Sequence, residues 1–399
     1  MKRKEQFVAK TFAGLETILK EELETLGAEN CQLSKRAVTF EGDFDLLYKT
    51  NYYSRYALRI LWQVHQFDFR DNKQFYENIY KYPAENVLDE KGKLAISVTM
   101  HNTIFQTPLF AAQLAKDAIC DRFRERTDTR PSVDKEHPDV QFHLHLNENM
   151  ATLFLDASGD SLHKRGYRVF IHPAQINEVL AAGIIKLSGW QHDCDFIDPM
   201  CGSGTILIEA AMQALNIPAG FYRKYFGFYT WKNFDRRLWN KIKAEADIHD
   251  DVPVEFYGYD ISPRFIGMAQ ANVRAARLAD FIHLQSRSMF EVSVKNTPSC
   301  ILFNPPYGER LDMEDISDFY KNIGNALKQH FAGCKAFIIS SNMEGIKNIG
   351  LHPSRKYPLF NGPLECKFLR YDLYAGTKKN TTVLGLDEKN VKKNDGIKR

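Results

Sequence analysis

The chain has 399 residues, 44% hydrophobic and 26% charged, with a formal net charge of +3. That composition is expected of a soluble globular protein of roughly two or three domains, without a stretch apolar enough to span a bilayer and without the hydrophobic run of a secretion signal after Met1. Seven cysteines, an odd count with no Cys-x-x-Cys pair, suit reduced thiols in a cytoplasm and weigh against a zinc ribbon, and so small a net charge leaves any polyanionic partner to be argued from local clusters.

Residues 6–12 read as a strand. Leu15, Ile18, Leu19, Leu23 and Leu26 then share a helical face that Gly27 ends. A second strand is expected over 37–40, and Asp43 is placed to cap a short helix through Leu46 and Leu47. Leu58, Ile60, Trp62 and Val64 alternate as a strand, 74–82 is helical, and 94–98 is another strand. Pro108 opens a long helix to Arg126, with Leu109, Ala112, Ile119 and Phe123 expected inward. Val140, Phe142, Leu144 and Leu146 alternate into a hairpin that turns at 147–149 and returns over 151–156. The first 160 residues are therefore α+β and carry no catalytic constellation. His143 and His145 share a strand face, but no Cys, Asp or further His stands at ligand spacing. They read as surface or nucleic-acid-facing, and no metal is expected.

From Tyr167 onward strands and helices alternate, as a doubly wound α/β sheet requires. Helices are expected over 175–187, 205–215, 263–277 and 316–330. Strands are expected over 195–197, 255–259, 282–285, 300–303, 336–340 and 367–374. Beyond Gly376 apolar residues thin and lysines accumulate, so 377–399 reads as a basic disordered tail.

Two stretches of this half carry chemistry. Asp198-Pro-Met-Cys-Gly-Ser-Gly-Thr205 lies between an apolar strand and a helix. Gly202 and Gly204 let a ligand approach bare backbone, and the helix start offers unpaired N–H groups. Asn304-Pro-Pro-Tyr307 follows the strand at 300–303 and puts a carboxamide on a stiff turn at a strand's carboxyl end. A nucleoside site beside an amine-clamping turn points to methyl transfer from S-adenosylmethionine to nitrogen. The expected cofactor contacts are Asp198, Pro199, Cys201, Gly202, Ser203, Gly204, Thr205, Asp260, Ile261, Ser288 and Asn304. Asp260 ends its strand where a carboxylate accepts ribose hydroxyls, though it could instead cap the helix starting at Pro263. Ser288 stands where an acid is commonest for adenine. Asn304, Pro305 and Tyr307 form the expected catalytic set: two oxygens accept the amine N–H groups and a ring stacks on the base.

Rival chemistries fail on particular residues. A dinucleotide dehydrogenase needs a third glycine where Leu207 stands, and no Gly-Lys-Ser/Thr completes a P-loop. Carbon-5 pyrimidine methylation needs a cysteine nucleophile, and none lies in 304–307; Cys201 reads as a small packing residue.

Basic clusters favour RNA as partner. Arg122, Arg124, Arg126 and Arg130 crowd one helix end, and His163, Lys164, Arg165 and Arg168 precede the catalytic half. Of these, Arg122, Arg126, Lys164, Arg165 and Arg168 are expected to bind it. The segment 220–252 interleaves aromatics with Arg223, Lys224, Lys232, Arg236 and Arg237, which suits either stacking on unpaired bases or an aromatic mini-core.

On Phe12-Ala-Gly-Leu-Glu16, Lys164-Arg-Gly-Tyr-Arg168 and Asn304-Pro-Pro-Tyr-Gly-Glu-Arg310, the chain resembles THUMP-domain class I RNA methyltransferases, in particular the bacterial group acting on guanine N2 of 23S rRNA. The resemblance implies a ferredoxin-like unit over 1–55, a THUMP RNA-binding unit over 56–160, and a Rossmann-like class I methyltransferase domain over 161–376. It also implies a cofactor-lid segment running from Arg165–Arg168 into Pro173–Glu178. The Asn-Pro-Pro-Tyr turn is shared with adenine-N6 DNA enzymes and glutamine-N5 enzymes, so a DNA adenine target, a tRNA guanine target and a non-catalytic assembly role remain rivals.

Overall fold

The computed structural model describes residues 4–170, 175–294, 298–306 and 313–374. The chain opens with β1 (Glu5–Lys10), α1 (Glu16–Thr25), β2 (Glu29–Ser34), β3 (Ala37–Gly42) and α2 (Phe44–Tyr53). Asp43 caps α2, accepting the Leu46 N–H at 3.1 Å. There follow β4 (Arg59–Asp68), α3 (Asn72–Lys81), β5 (Lys93–His101), α4 (Pro108–Thr127), a two-residue β6 (Ser132–Val133), and the hairpin of β7 (Val140–Asn147) and β8 (Met150–Asp156). All eight strands join one sheet in the order β2-β3-β1-β4-β8-β7-β5-β6. β4 pairs with β1 on one side and β8 on the other, so the sheet continues across residues 55–56.

Phe7, Phe40, Ile60 and Leu153 share one core with Leu19, Leu47, Ile79 and Phe123 from the four helices. Each such fully buried side chain contributes roughly 1.5–3 kcal/mol. Two expectations change here. β2 had no apolar alternation to reveal it, because it is an edge strand whose six residues are almost all exposed. Leu109 is 60% exposed; α4 buries Ala111, Ala115, Ala118, Ile119 and Phe123 instead. An alanine stripe lets that helix lie close to α3 and β5, and a leucine face would hold it off.

The second half begins with α5 (Glu178–Ser188), β9 (Phe196–Asp198), α6 (Thr205–Ala214), α7 (Arg236–Ala244), β10 (Phe256–Asp260) and α8 (Pro263–Ala275). It continues with β11 (Ile282–Ser286), β12 (Cys300–Phe303), α9 (Met313–His330), β13 (Lys335–Ser340), α10 (Met343–Asn348), β14 (Arg355–Asn361) and β15 (Leu364–Asp372). The sheet order is β11-β10-β9-β12-β13-β15-β14. The first five run parallel and β15 is antiparallel to both its neighbours. Helix α5 starts at Glu178 and not at 175, since Asn177 caps it by accepting the Val179 N–H at 2.9 Å. Among the described residues no helix is long and apolar enough to cross a membrane.

The halves are joined by buried polar and aromatic contacts. Arg165, expected on an RNA-facing surface, is 1% exposed. It donates to Arg55 O at 2.6 Å and Leu162 O at 3.0 Å, and its Nε lies 3.4 Å from Glu209 Oε1, which also accepts the Tyr167 hydroxyl at 3.0 Å. Arg122, also expected to bind RNA, is 6% exposed and holds Glu85 through two bonds of 2.8 and 2.6 Å. Of the two forms expected for the aromatic segment, the rings form the aromatic core, Phe226, Phe228, Phe234 and Trp239 packing on one another, but that core does not stand by itself. Phe228 and Trp239 pack on Tyr48 and Tyr52 of α2, at ring distances of 4.7 and 5.4 Å, and Trp231 lies 5.9 Å from Trp62 of β4. Its core is shared with the front half.

Glu209→Ala would leave the Arg165 charge and the Tyr167 hydroxyl buried without their acceptor, at a cost of about 3–5 kcal/mol. A lower urea midpoint is the expected reading, with Glu209→Gln less affected because it keeps an acceptor for the tyrosine. An Ala variant as stable as wild type would show that the pair does not hold the joint.

Candidate active site

Three strand ends build the site. β9 pairs in parallel with β10 (Phe196↔Phe256) and with β12 (Phe196↔Cys300), so Asp198, Asp260 and Asn304 come out at one sheet edge. A cavity of about 270 Å³ opens there. Of the expected contacts, Asp198, Pro199, Cys201, Gly202, Ser203, Thr205, Asp260, Ile261, Ser288, Asn304 and Pro305 line it. Gly204 does not. It sits at φ +81° as the N-cap of α6, and Gly202 is at +52°, conformations that disfavour any side chain. Tyr307 lies outside the described residues, as do the tail lysines.

Asp198 is 1% exposed, and its Oδ1 accepts the Met200 N–H at 3.1 Å. Burial, with Asp260 adding to it, holds its carboxyl well above the usual range. Asp260 accepts the Gly202 N–H at 3.1 Å on one oxygen and the Ser262 N–H at 2.9 Å on the other. It therefore ties the glycine turn to β10, and the N-cap position of α8 falls to Ser262 instead. Each oxygen keeps a lone pair that could meet a ribose hydroxyl. The Ser288 hydroxyl accepts the Phe290 N–H at 3.3 Å, capping a short 3-10 turn. Burial pushes the Cys201 thiol well up, in keeping with a packing role beneath the turn.

Arg168, read from sequence as RNA-binding, works from behind the cavity. Its guanidinium donates to Thr205 Oγ1 at 3.1 Å and meets Glu178 Oε1 at 2.9 Å, and it also bonds Gln175. It braces the segment entering α5 against the first turn of α6. Arg126 and Lys164 stay on the surface, with side chains 58% and 59% exposed. His143 and His145 bond the hydroxyls of Ser97 and Thr99. Burial, then Lys10, pushes His143 down to about 4. Among the described residues no three His, Cys, Asp or Glu side chains are grouped to hold a metal ion.

Sequence reading missed Phe265, Met289, Phe290 and Phe319 in the wall. Phe265 could have been found, since it lies in the first turn of the helix after Asp260. Phe319 carried no local signal, because α9 reaches the cavity only by crossing back over the sheet.

Three family models match the chain: the RlmL ferredoxin-like domain over residues 6–61, the THUMP domain over 69–156, and the RMKL-like methyltransferase domain over 165–370. A Synechocystis protein provisionally named as an RNA methyltransferase is 36% identical, over 92% of this chain and 97% of its own length. A Methylococcus capsulatus protein named ribosomal RNA large subunit methyltransferase K/L is 37% identical over 92% of this chain and 51% of its own. The chain thus spans about half the length of the curated relatives that bear that name. Among solved structures, a provisionally assigned methyltransferase in complex with S-adenosylhomocysteine superposes with a TM-score of 0.85 at 28% identity, covering 94% of this chain and all of its own. A Listeria monocytogenes protein, assigned by prediction as an N6-adenine-specific DNA methylase, gives 0.84 at 27% identity, covering 94% of this chain and 97% of its own.

The raised Asp198 carboxyl sets a pH signature. Between the unfolded carboxyl value of about 3.9 and the higher folded one, the folded state binds an extra proton, so this group costs stability progressively as pH rises through that window. Asp198→Asn removes that slope while keeping an acceptor for the Met200 N–H. The melting temperature of the cofactor-free variant should gain on wild type from pH 5 to pH 8; a constant difference would contradict a buried, proton-retaining carboxyl.

Proposed function

The chain belongs to the RMKL-like methyltransferase family, whose methyl donor is S-adenosylmethionine, and from that footing we propose that it methylates an exocyclic base nitrogen of structured RNA, specifically guanine N2 of 23S rRNA. One observation carries the reading: Asn304 and Pro305 stand on the rim of the same cavity as Asp198, Gly202 and Asp260.

The residues suit the donor. The Gly202–Thr205 turn offers backbone N–H groups at the start of α6, the Asp260 carboxylate faces where a ribose would lie, and Ile261 and Phe290 supply apolar surface for an adenine ring. Bound there, the donor supplies an electrophilic methyl on a sulfonium. The protein's part is to aim the acceptor. An aryl amine is a poor nucleophile because its lone pair is conjugated with the ring. The Asn304 carboxamide oxygen and the Pro305 carbonyl each accept one N–H, turning that lone pair toward the methyl group. Positioning and fixed dipoles then supply most of the acceleration. A paired base has to leave its stack to reach the clamp.

RNA as substrate is supported by the THUMP unit over 69–156 and by the relatives' names. Arg126 and Lys164 are the expected cations that keep a surface position. An adenine-N6 DNA target is the second reading, favoured by the Listeria relative's assignment.

Asn304→Ala is expected to lower methyl transfer to large-subunit rRNA by about 100-fold or more, leaving the S-adenosylmethionine dissociation constant within about threefold of wild type. Labelled donor with rRNA, tRNA and DNA in parallel, followed by nucleoside mapping, should give N2-methylguanosine in rRNA. Label confined to DNA would overturn the RNA reading.

A further inference from the structure

The Asn304-Pro305-Pro306 turn leaves β12 with few torsions free. Each proline ring holds its own φ near about −65°, and the proline that follows presses Asn304 and Pro305 toward extended ψ. The ψ of Pro306 escapes this restraint, because a tyrosine and not a proline comes next. That torsion sets where the Pro306 carbonyl points, and the carbonyl meets the Tyr320 hydroxyl of α9 at 3.4 Å.

A chain of hydrogen bonds stands behind it. Tyr320 Oη lies 2.7 Å from Ser340 Oγ, at the end of β13, and Ser340 Oγ accepts the Asn342 N–H at 3.0 Å. Tyr320 and Ser340 are both 0% exposed. The acceptors orient the chain. The Pro306 carbonyl can only accept, so the single tyrosine hydrogen goes to it, and Ser340 gives its own hydrogen to Tyr320 Oη. Burial pushes the Tyr320 hydroxyl up to about 12, which keeps that hydrogen in place at neutral pH. The Gly345 backbone lies against the ring, so close that a Cβ there would come within 2.6 Å of it.

We propose that Tyr320 is a positioning residue for methyl transfer: oriented by Ser340, it locks the loose torsion at Pro306 and so keeps the Asn304 and Pro305 acceptors aimed at the incoming amine. The role rests on the amine-methylating function proposed above.

Steady-state transfer to large-subunit rRNA lacking the modification, with donor binding measured separately, tests it on Tyr320→Phe, Ser340→Ala and the double variant. Misplacement of about 1 Å can cost about 100-fold, so kcat should fall at least about tenfold, with KM for RNA and donor affinity within about twofold. The double variant should be no slower than Tyr320→Phe, since both changes cut one chain. Ser340→Thr, which keeps the hydroxyl, should recover most of the rate. Ser340→Ala carries the test if Tyr320→Phe fails to fold. An active wild type with Tyr320→Phe at equal kcat, or a loss confined to KM or donor affinity, overturns this role alone. A wild type that methylates no RNA overturns the proposed function and the role with it.

Discussion

The parallel pairing of β9 with β10 on one side and β12 on the other is the constraint from which the site follows. Hydrogen-bonded neighbours in a parallel sheet run in one direction, so their carboxyl ends come out on the same side. Phe196 faces both Phe256 and Cys300, and Asp198, Asp260 and Asn304 emerge at that one end, with Asp260 two residues past Gly258, the partner of Asp198. Chain order reverses direction across the sheet at β9, the switch point where doubly wound folds keep their crevice. Successive β9 residues enter opposite cores, Phe196 with α5 and α6 and Ile197 with α9, so neither face can slip without exposing apolar surface.

Buried charge does a different job here from the one it suggests on first reading. Arg55, Arg165 and Glu209 sit where the front sheet meets α6, and Arg55 also donates to Ile217 O at 2.8 Å. The Tyr53 hydroxyl bonds Ile242 O of α7 at 3.1 Å, and the aromatic segment wedges between α2 and β4. Such contacts are directional and cannot be satisfied by water once covered, so they hold the front half at one orientation to the cavity. Arg168 extends the same logic, joining Gln175, Glu178 and Thr205 so that the segment entering α5 is tied to the first turn of α6.

How much was legible in the chain depended on how local each feature's cause is. The capped helix at Asp43, the glycine turn at 202–204 and the carboxamide at 304 are set by residues within a few positions of one another, and each stands where its pattern placed it. Edge strands β2 and β14 escaped, because a strand bordered by solvent needs no strict alternation. Leu109 misled because an alanine stripe, with little hydrophobic contrast, was the face that packed.

By itself the sequence determined the period of the strands and helices, the backbone freedom of Gly202 and Gly204, and the acceptors that Asn304 and Asp260 carry. Those properties belong to a residue and its near neighbours. Tertiary structure alone decided which cations face solvent: Lys164 and Arg165 are adjacent in one basic run, yet one is exposed and the other sealed against Glu209. It alone brought Phe319 to the cavity and Tyr320 to the Pro306 carbonyl. Burial and long-range contact depend on what folds over a residue, and no pattern along the chain carries that.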